Sequence, residues 1–179
     1  MLAREGAAGA SVRAIALEAG VSPGLIGHHF GGVDALIAAT YAQVEARVAA
    51  ALDDAVAAAG IDPRARLEAY VSASLLPPIA DSELLSTWIA FWSLVRARPD
   101  IAALHDEQYG RFRSGLEGLL IESGLAPAAL RRTGIAVTAL VDGLWLELCL
   151  SPQTFAAGEA AAIARSGLNA LISTGPGTG

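Results

Sequence analysis

Two sets of side chains in this 179-residue chain have the types and spacing to do chemistry. Trp88, Phe91, Trp92 and Val95 recur at i, i+3, i+4 and i+7, so they share one helix face; Tyr109, Phe112 and Leu116 do the same further on. Asp142 stands one turn before Trp145 on a third apolar stretch. Ring faces and one carboxylate are the materials of a site for an organic cation, because together they replace water around a quaternary ammonium. The same stripes also read as ordinary core, and Asp142 as a buried hydrogen-bonding acid. The second set is Ser11, Arg13, Pro23, Gly24, Leu25, Gly27, His28 and His29, on the outward side of two short helical stretches. Helix N-terminal N–H groups, a guanidinium and imidazoles suit phosphates and base edges, and Leu25 suits a thymine methyl. Gly24 and Gly27 allow a close approach. The plainer reading is a helical corner with two exposed histidines.

The elements that would hold the second set are written in SVRAIALEAGVSPGLIGHHF, Ser11 to Phe30. Ser11 is a good N-cap, and Val12, Ile15, Ala16 and Ala19 recur at helical spacing. Gly20 ends that helix, Val21 tucks inward, and Ser22-Pro23 starts another with Leu25, Ile26 and Phe30 on its buried side. Helix, short glycine turn and second helix form the helix-turn-helix pattern, whose second helix enters the DNA major groove. Arg13 lies on the solvent side, facing a pairing with Glu18.

The remainder reads as helices without a strand. Met1–Glu5 is the tail of a helix closed by Gly6, and Ala7–Ala10 a small-residue connection. After Gly31-Gly32, a long helix runs over roughly 35–59, then others over 63–76, 82–98, 100–123, 127–150 and 154–172, about eight in all. The fold class is therefore all-α. Residues 1–33 form a helix-turn-helix head, 34–173 an effector-binding and dimerisation body, and 174–179 (TGPGTG) a disordered tail. Small and apolar residues on the last two helices (Ala136, Val137, Leu140, Gly143, Leu144, Ala157, Ala160, Ala161, Ala164, Leu168, Leu171) suit a four-helix interface between two copies. Burial against their own chain is the alternative.

Composition narrows the function classes. Net charge is −6 and all 12 basic residues are Arg, which argues against a general nucleic-acid coat. Residues 1–33 are formally neutral, with Arg4 and Arg13 against Glu5 and Glu18. Cys149 is the one cysteine, so no disulfide forms within the chain. The N-terminus has no apolar signal region, and the apolar run Gly134–Leu150 is short and broken by Asp142 and Glu147. A cytoplasmic, membrane-free protein is expected. No phosphate loop, H-E-x-x-H or G-x-S-x-G occurs, so no enzyme, catalytic residue or cofactor is expected. His28 and His29 at i and i+1 do not face each other, so no metal is expected.

The stretch SVRAIALEAGVSPGLIGHHFGGVDALIAAT resembles the helix-turn-helix and fourth helix of TetR-family transcriptional regulators, through Gly20-Val21-Ser22, Ile26…His28-x-Phe30 and Asp34-Ala35-Leu36. GLIGHHFGGVDALIAAT and ALVDGLWLELCLSP (Ala139 to Pro152) resemble the BetI-like branch of choline-responsive repressors. The resemblance implies a TetR-like fold and a homodimer joined through the last two helices. It also implies a palindromic operator in double-stranded DNA and a small effector, choline or another quaternary amine, that releases the repressor. Three departures stand out. The family's first helix is truncated to Met1–Glu5. His29 and Val33 replace a Tyr and a Lys that resemble phosphate contacts, and Gly27 replaces a larger residue that often reaches DNA. A ligand-binding dimer that has lost DNA binding is the alternative.

Overall fold

The computed structural model describes residues 1–173, the side chains of Ala7 and Ala8 excepted; the expected tail lies outside the described residues. The described residues form nine α-helices and no strand. In chain order these are α1 Leu2–Gly9, α2 Val12–Ala19, α3 Pro23–Phe30, α4 Val33–Ala58 and α5 Pro63–Ala73. Then come α6 Ser82–Val95, α7 Pro99–Glu122, α8 Pro127–Leu150 and α9 Glu159–Ser173.

The punctuation explains the bounds. Gly20, Gly31, Gly60 and Gly124 take positive φ where helices end. Asp62 caps α5 through a bond from Ala65 N. Three expectations shift. Gly6 is non-helical, at φ 63°, but it bends α1 rather than closing it, and helix continues to Gly9 in place of a connection. Helix α5 stops at Ala73 and α6 at Val95, because the chain tightens into i→i−3 turns before Pro77 and Pro99. Helix α9 begins at Glu159, not near Thr154: a 3₁₀ turn occupies Pro152–Thr154, and Glu159 Oε2 accepts from Ala156 N at 2.8 Å.

The chain divides into two compact units, each made of two segments. The first is Met1–Arg47 with Ser82–Gln108. In it α2 packs on α3 and α1 packs along α6. Its buried side chains include Ala16, Ile26, Ile37, Tyr41, Leu85, Phe91 and Ile101. Arg98 ties the start of α7 to the start of α4: its Nη1 donates to Asp34 Oδ1 at 2.6 Å, while Nε and Nη2 clasp Asp100 at 3.0 and 2.7 Å. That grip holds the Asp100 carboxyl below the usual carboxylate range, first through the hydrogen bond from Arg98.

The second unit is Val48–Asp81 with the described residues from Tyr109 on. Its core is Leu52, Leu67, Val71, Leu75, Leu116, Leu120, Val137, Val141, Ala164 and Leu168. Helix α9 packs on both α5 and α8. By length and composition alone α8 is long and apolar enough to cross a membrane, and one stripe of it, Ala129, Val137, Val141 and Leu144, packs into the core.

Candidate nucleic-acid interface and effector residues

The outward corner of the first unit follows from its caps. Ser11 Oγ accepts from Ala14 N at 3.2 Å and starts α2. Gly20, left-handed at φ 66°, stops it. Ser22 Oγ accepts from Leu25 N at 3.3 Å, and Pro23 takes the first turn of α3. Ala16 and Ile26 turn inward and bury the contact between the two helices. All eight expected residues, Ser11, Arg13, Pro23, Gly24, Leu25, Gly27, His28 and His29, are exposed. A Cβ added at Gly27 would meet open space, so packing does not demand glycine there. Leu25 and Phe30, which the helical period had also given to the buried side, are each 42% exposed, and of those three only Ile26 is buried.

Two pairings differ from the sequence reading. Glu18 is held by Arg4, Nη2 to Oε2 at 2.8 Å, not by Arg13, and the Met1 ammonium lies 3.6 Å from its other oxygen. His28 and His29 do meet, edge to face with ring centres 5.3 Å apart, although neighbours on a helix diverge at Cβ. Among the described residues no group of three or more His, Cys, Asp or Glu is placed to hold a metal.

The seven candidate effector residues divide between the units. In the first, Trp88 and Phe91 are buried on α6, and both meet Tyr41 of α4 edge-on, at ring-centre distances of 5.1 and 4.8 Å. Trp92 is half-buried. Tyr41 has no exposed surface, and its phenol shares a 3.3 Å hydrogen bond with His105 Nδ1. Burial pushes the Tyr41 phenol well above its ordinary value, and the Glu45 and Asp106 carboxylates add to the effect. The phenol therefore keeps its proton.

In the second unit Tyr109 donates to Asp142 Oδ2. Phe112 packs on Tyr70 with ring centres 5.2 Å apart, and Tyr70 donates to Phe112 O at 3.0 Å. The Trp145 indole N–H donates to Ser74 O. Sequence reasoning missed Tyr41, Tyr70 and His105. Both tyrosines sit in apolar helical stripes, and the signal was available: a buried Tyr needs a partner for its hydroxyl.

The residues expected on the association face divide, with Gly143 and Ala157 exposed and six others turned inward. Val137, Leu144, Ala160, Ala161, Ala164 and Leu168 are buried within their own chain, where small side chains let α8 and α9 approach closely. A Cβ added at Gly167 of α9 would sit 2.5 Å from Leu140 Cδ2 of α8. The large apolar side chains left exposed on these helices include Ile135, Leu146 and Leu150 of α8 and Ile163 of α9.

Comparison with known proteins covers both segments of this architecture. Residues 1–40 match the model of bacterial regulatory proteins of the tetR family, and residues 63–173 match the BetI-type transcriptional repressor C-terminal model. The HTH-type transcriptional regulator BetI of Paraburkholderia phytofirmans is 31% identical over 169 residues, which cover 94% of this chain and 86% of that one. BetI of Paraburkholderia xenovorans is 34% identical over 150 residues, 84% of this chain and 76% of that one. A solved transcriptional regulator from Rhodococcus sp. Rha1 superposes with a TM-score of 0.85 at 27% identity, over 99% of this chain and 93% of the other. A Saccharomonospora viridis protein solved in complex with choline shares the fold, with a TM-score of 0.73 at 24% identity over 97% and 90%.

Proposed function

Since the chain belongs to the TetR family of bacterial regulatory proteins and carries a BetI-type C-terminal region, we propose that it is a homodimeric repressor, cytoplasmic, released from a palindromic operator by a small organic cation. Proteins of this family are transcriptional regulators, not enzymes; they bind operator DNA and act as dimers. The observation that carries the proposal is α3: a capped helix whose Leu25, Gly27, His28 and His29 are all exposed.

In this reading residues 1–33 are the reading head and 34–173 the effector and dimer body. Ser11, Arg13, His28 and His29 contact phosphates, Leu25 meets a base edge, and Pro23, Gly24 and Gly27 let the backbone come close. The dimer forms through α8 and α9, along the exposed side chains of Ile135, Leu146, Leu150 and Ile163.

Trp88, Phe91 and Trp92 are the candidate effector residues of the first unit, and Tyr109, Phe112, Asp142 and Trp145 those of the second, each set taken by itself. Helix α6 touches α1, and its rings touch Tyr41 on α4, which starts three residues after α3 ends. A ligand that prefers one setting of α6 therefore shifts both helices that flank the reading pair, and a coupling of ~1–3 kcal/mol is enough for a useful response. Choline is the probe, suggested by the resemblance to choline-responsive repressors and by the neighbour solved with choline.

The test is retardation of DNA from upstream of the protein's own gene. A sequence-selective, salt-dependent complex that choline dissolves is expected. No complex at any salt concentration would remove the repressor reading; a complex indifferent to choline and other quaternary amines would remove the effector.

A further inference from the structure

Gln108 is 7% exposed, and its Oε1 is buried with no hydrogen-bond donor among the described residues. It lies on α7 one turn after His105, so both side chains take the same side of the helix. Two links set the register of α7 against α4. Arg98 with Asp34, and Tyr41 with His105, each join positions 64 apart. Carried one turn further along the two helices, the same offset pairs position 108 with position 44, next to Glu45 and one turn beyond Tyr41.

The surroundings are specific. Tyr41 supplies a protonated phenol and, with Trp88 and Phe91, three rings in mutual contact. Glu45 and Asp106 are the carboxylates whose field reaches the phenol. This neighbourhood favours positive charge, and a second acceptor brought against Oε1 would be repelled.

An unsatisfied buried carbonyl destabilises the protein that keeps it, whereas an apolar side chain of similar shape would not. Departures of this kind from a fully satisfied core concentrate at functional sites. We infer that Gln108 Oε1 is the acceptor for a hydrogen-bond donor carried by the effector. The ligand class is then a small cation bearing a hydroxyl or N–H, not a fully alkylated ammonium or a zwitterion ending in a carboxylate. The inference rests on the cationic-effector reading above and adds the residue that selects among cations.

The experiment titrates the full-length protein calorimetrically with choline and with its O-methyl ether, and melts it without ligand. Wild type binds choline at least about tenfold tighter than the ether, since the ether leaves Oε1 unpaired. Gln108→Met, which keeps the shape and drops the acceptor, brings the ratio close to one and melts about 2–6 °C higher without ligand. Gln108→Glu keeps an acceptor and keeps the preference.

Equal affinities in wild type, or an unchanged preference in Gln108→Met, overturn the inference; that is the result if a trapped water satisfies the amide. A lower melting point for Gln108→Met also overturns it, because the amide would then be paired in the core. If wild type binds neither cation, the effector reading itself has failed and this inference falls with it.

Discussion

Replacing Val33 with lysine tests whether the start of α4 faces the phosphate backbone. Val33 is the first residue of α4, directly after Gly31 and Gly32, whose φ values of 76° and 146° turn the chain out of α3. The carboxylate next to it, on Asp34, already accepts from Arg98 at 2.6 Å and is not waiting for a new lysine. A lysine that reaches one phosphate releases about 0.9 of a condensed counterion, so the slope of log K against log salt steepens by about 0.9. Taking the ammonium–phosphate contact as neutral at 1 M salt, the same term predicts binding about 5-fold tighter at 0.15 M and about 15-fold tighter at 0.05 M. Fluorescence anisotropy on a labelled operator, repeated over that salt range with wild type and Val33→Lys, measures both numbers. Matched scrambled DNA should gain as much as the operator, because a phosphate contact reads no sequence. An unchanged salt slope would refute the placement of this turn against DNA, whatever happened to affinity at one salt concentration.

Ser22→Ala removes the side-chain cap of α3 and should cost about 1 kcal/mol, seen as a melting point about 2–4 °C lower, with weaker operator binding. Ile135→Glu combined with Leu146→Glu places two charges on the exposed stripe of α8; light scattering should report a shift from dimer toward monomer, and an intact dimer would relocate the interface. Arg98→Ala should lower the melting point only slightly at neutral pH, because exposed ion pairs contribute little. The Asp100 carboxyl is held low by Arg98, so its share of stability is present above the ordinary carboxylate value of 3.8 and fades as pH falls below it. Melting curves of the two proteins should therefore converge on acidification, and a gap that widens would contradict that sign. Tyr41→Phe keeps the rings and removes the bond to His105; it should cost about 1 kcal/mol and change the choline concentration for half-release without changing operator sequence preference.

The helices were readable because this sequence is heavily punctuated. Ser11, Ser22, Asp62, Gly20, Gly31 and the prolines at 23, 63, 99 and 127 each fix a backbone state locally, and the structure uses every one at an element boundary. The same local period gave the buried Ile26 of α3 but also sent Leu25 and Phe30 inward, and both are exposed. What could not be read was pairing at long range. A run of small residues on α8 and α9 looks identical whether it meets its own chain or a second copy, and only packing showed Gly167 against Leu140. Glu18 had two arginines within reach by sequence, and the packing of the start of α1 beside α2, not propensity, decided for Arg4. Tyr41 and His105 are 64 residues apart, and nothing in either local stripe announces the other.

The division into units alters how a signal has to travel. A boundary drawn after the helix-turn-helix suggests that a ligand in the body must tilt one long lever, α4, to move the head. The compact units are cut differently: the first 47 residues associate with α6 and the start of α7, so Trp88 and Phe91 belong to the same packed unit as α3. Within that unit α6 contacts α1 directly and α4 through Tyr41. Packed cores deform in discrete steps, so the effector proposed above, if it bears on these rings, would reset the seat of two helices at once. Arg98 closes the loop by tying the start of α7 to Asp34, at the first turn of the helix that follows the reading pair. On the proposed effector reading the lever is then short, and α6 is the element through which effector affinity would be coupled to DNA affinity.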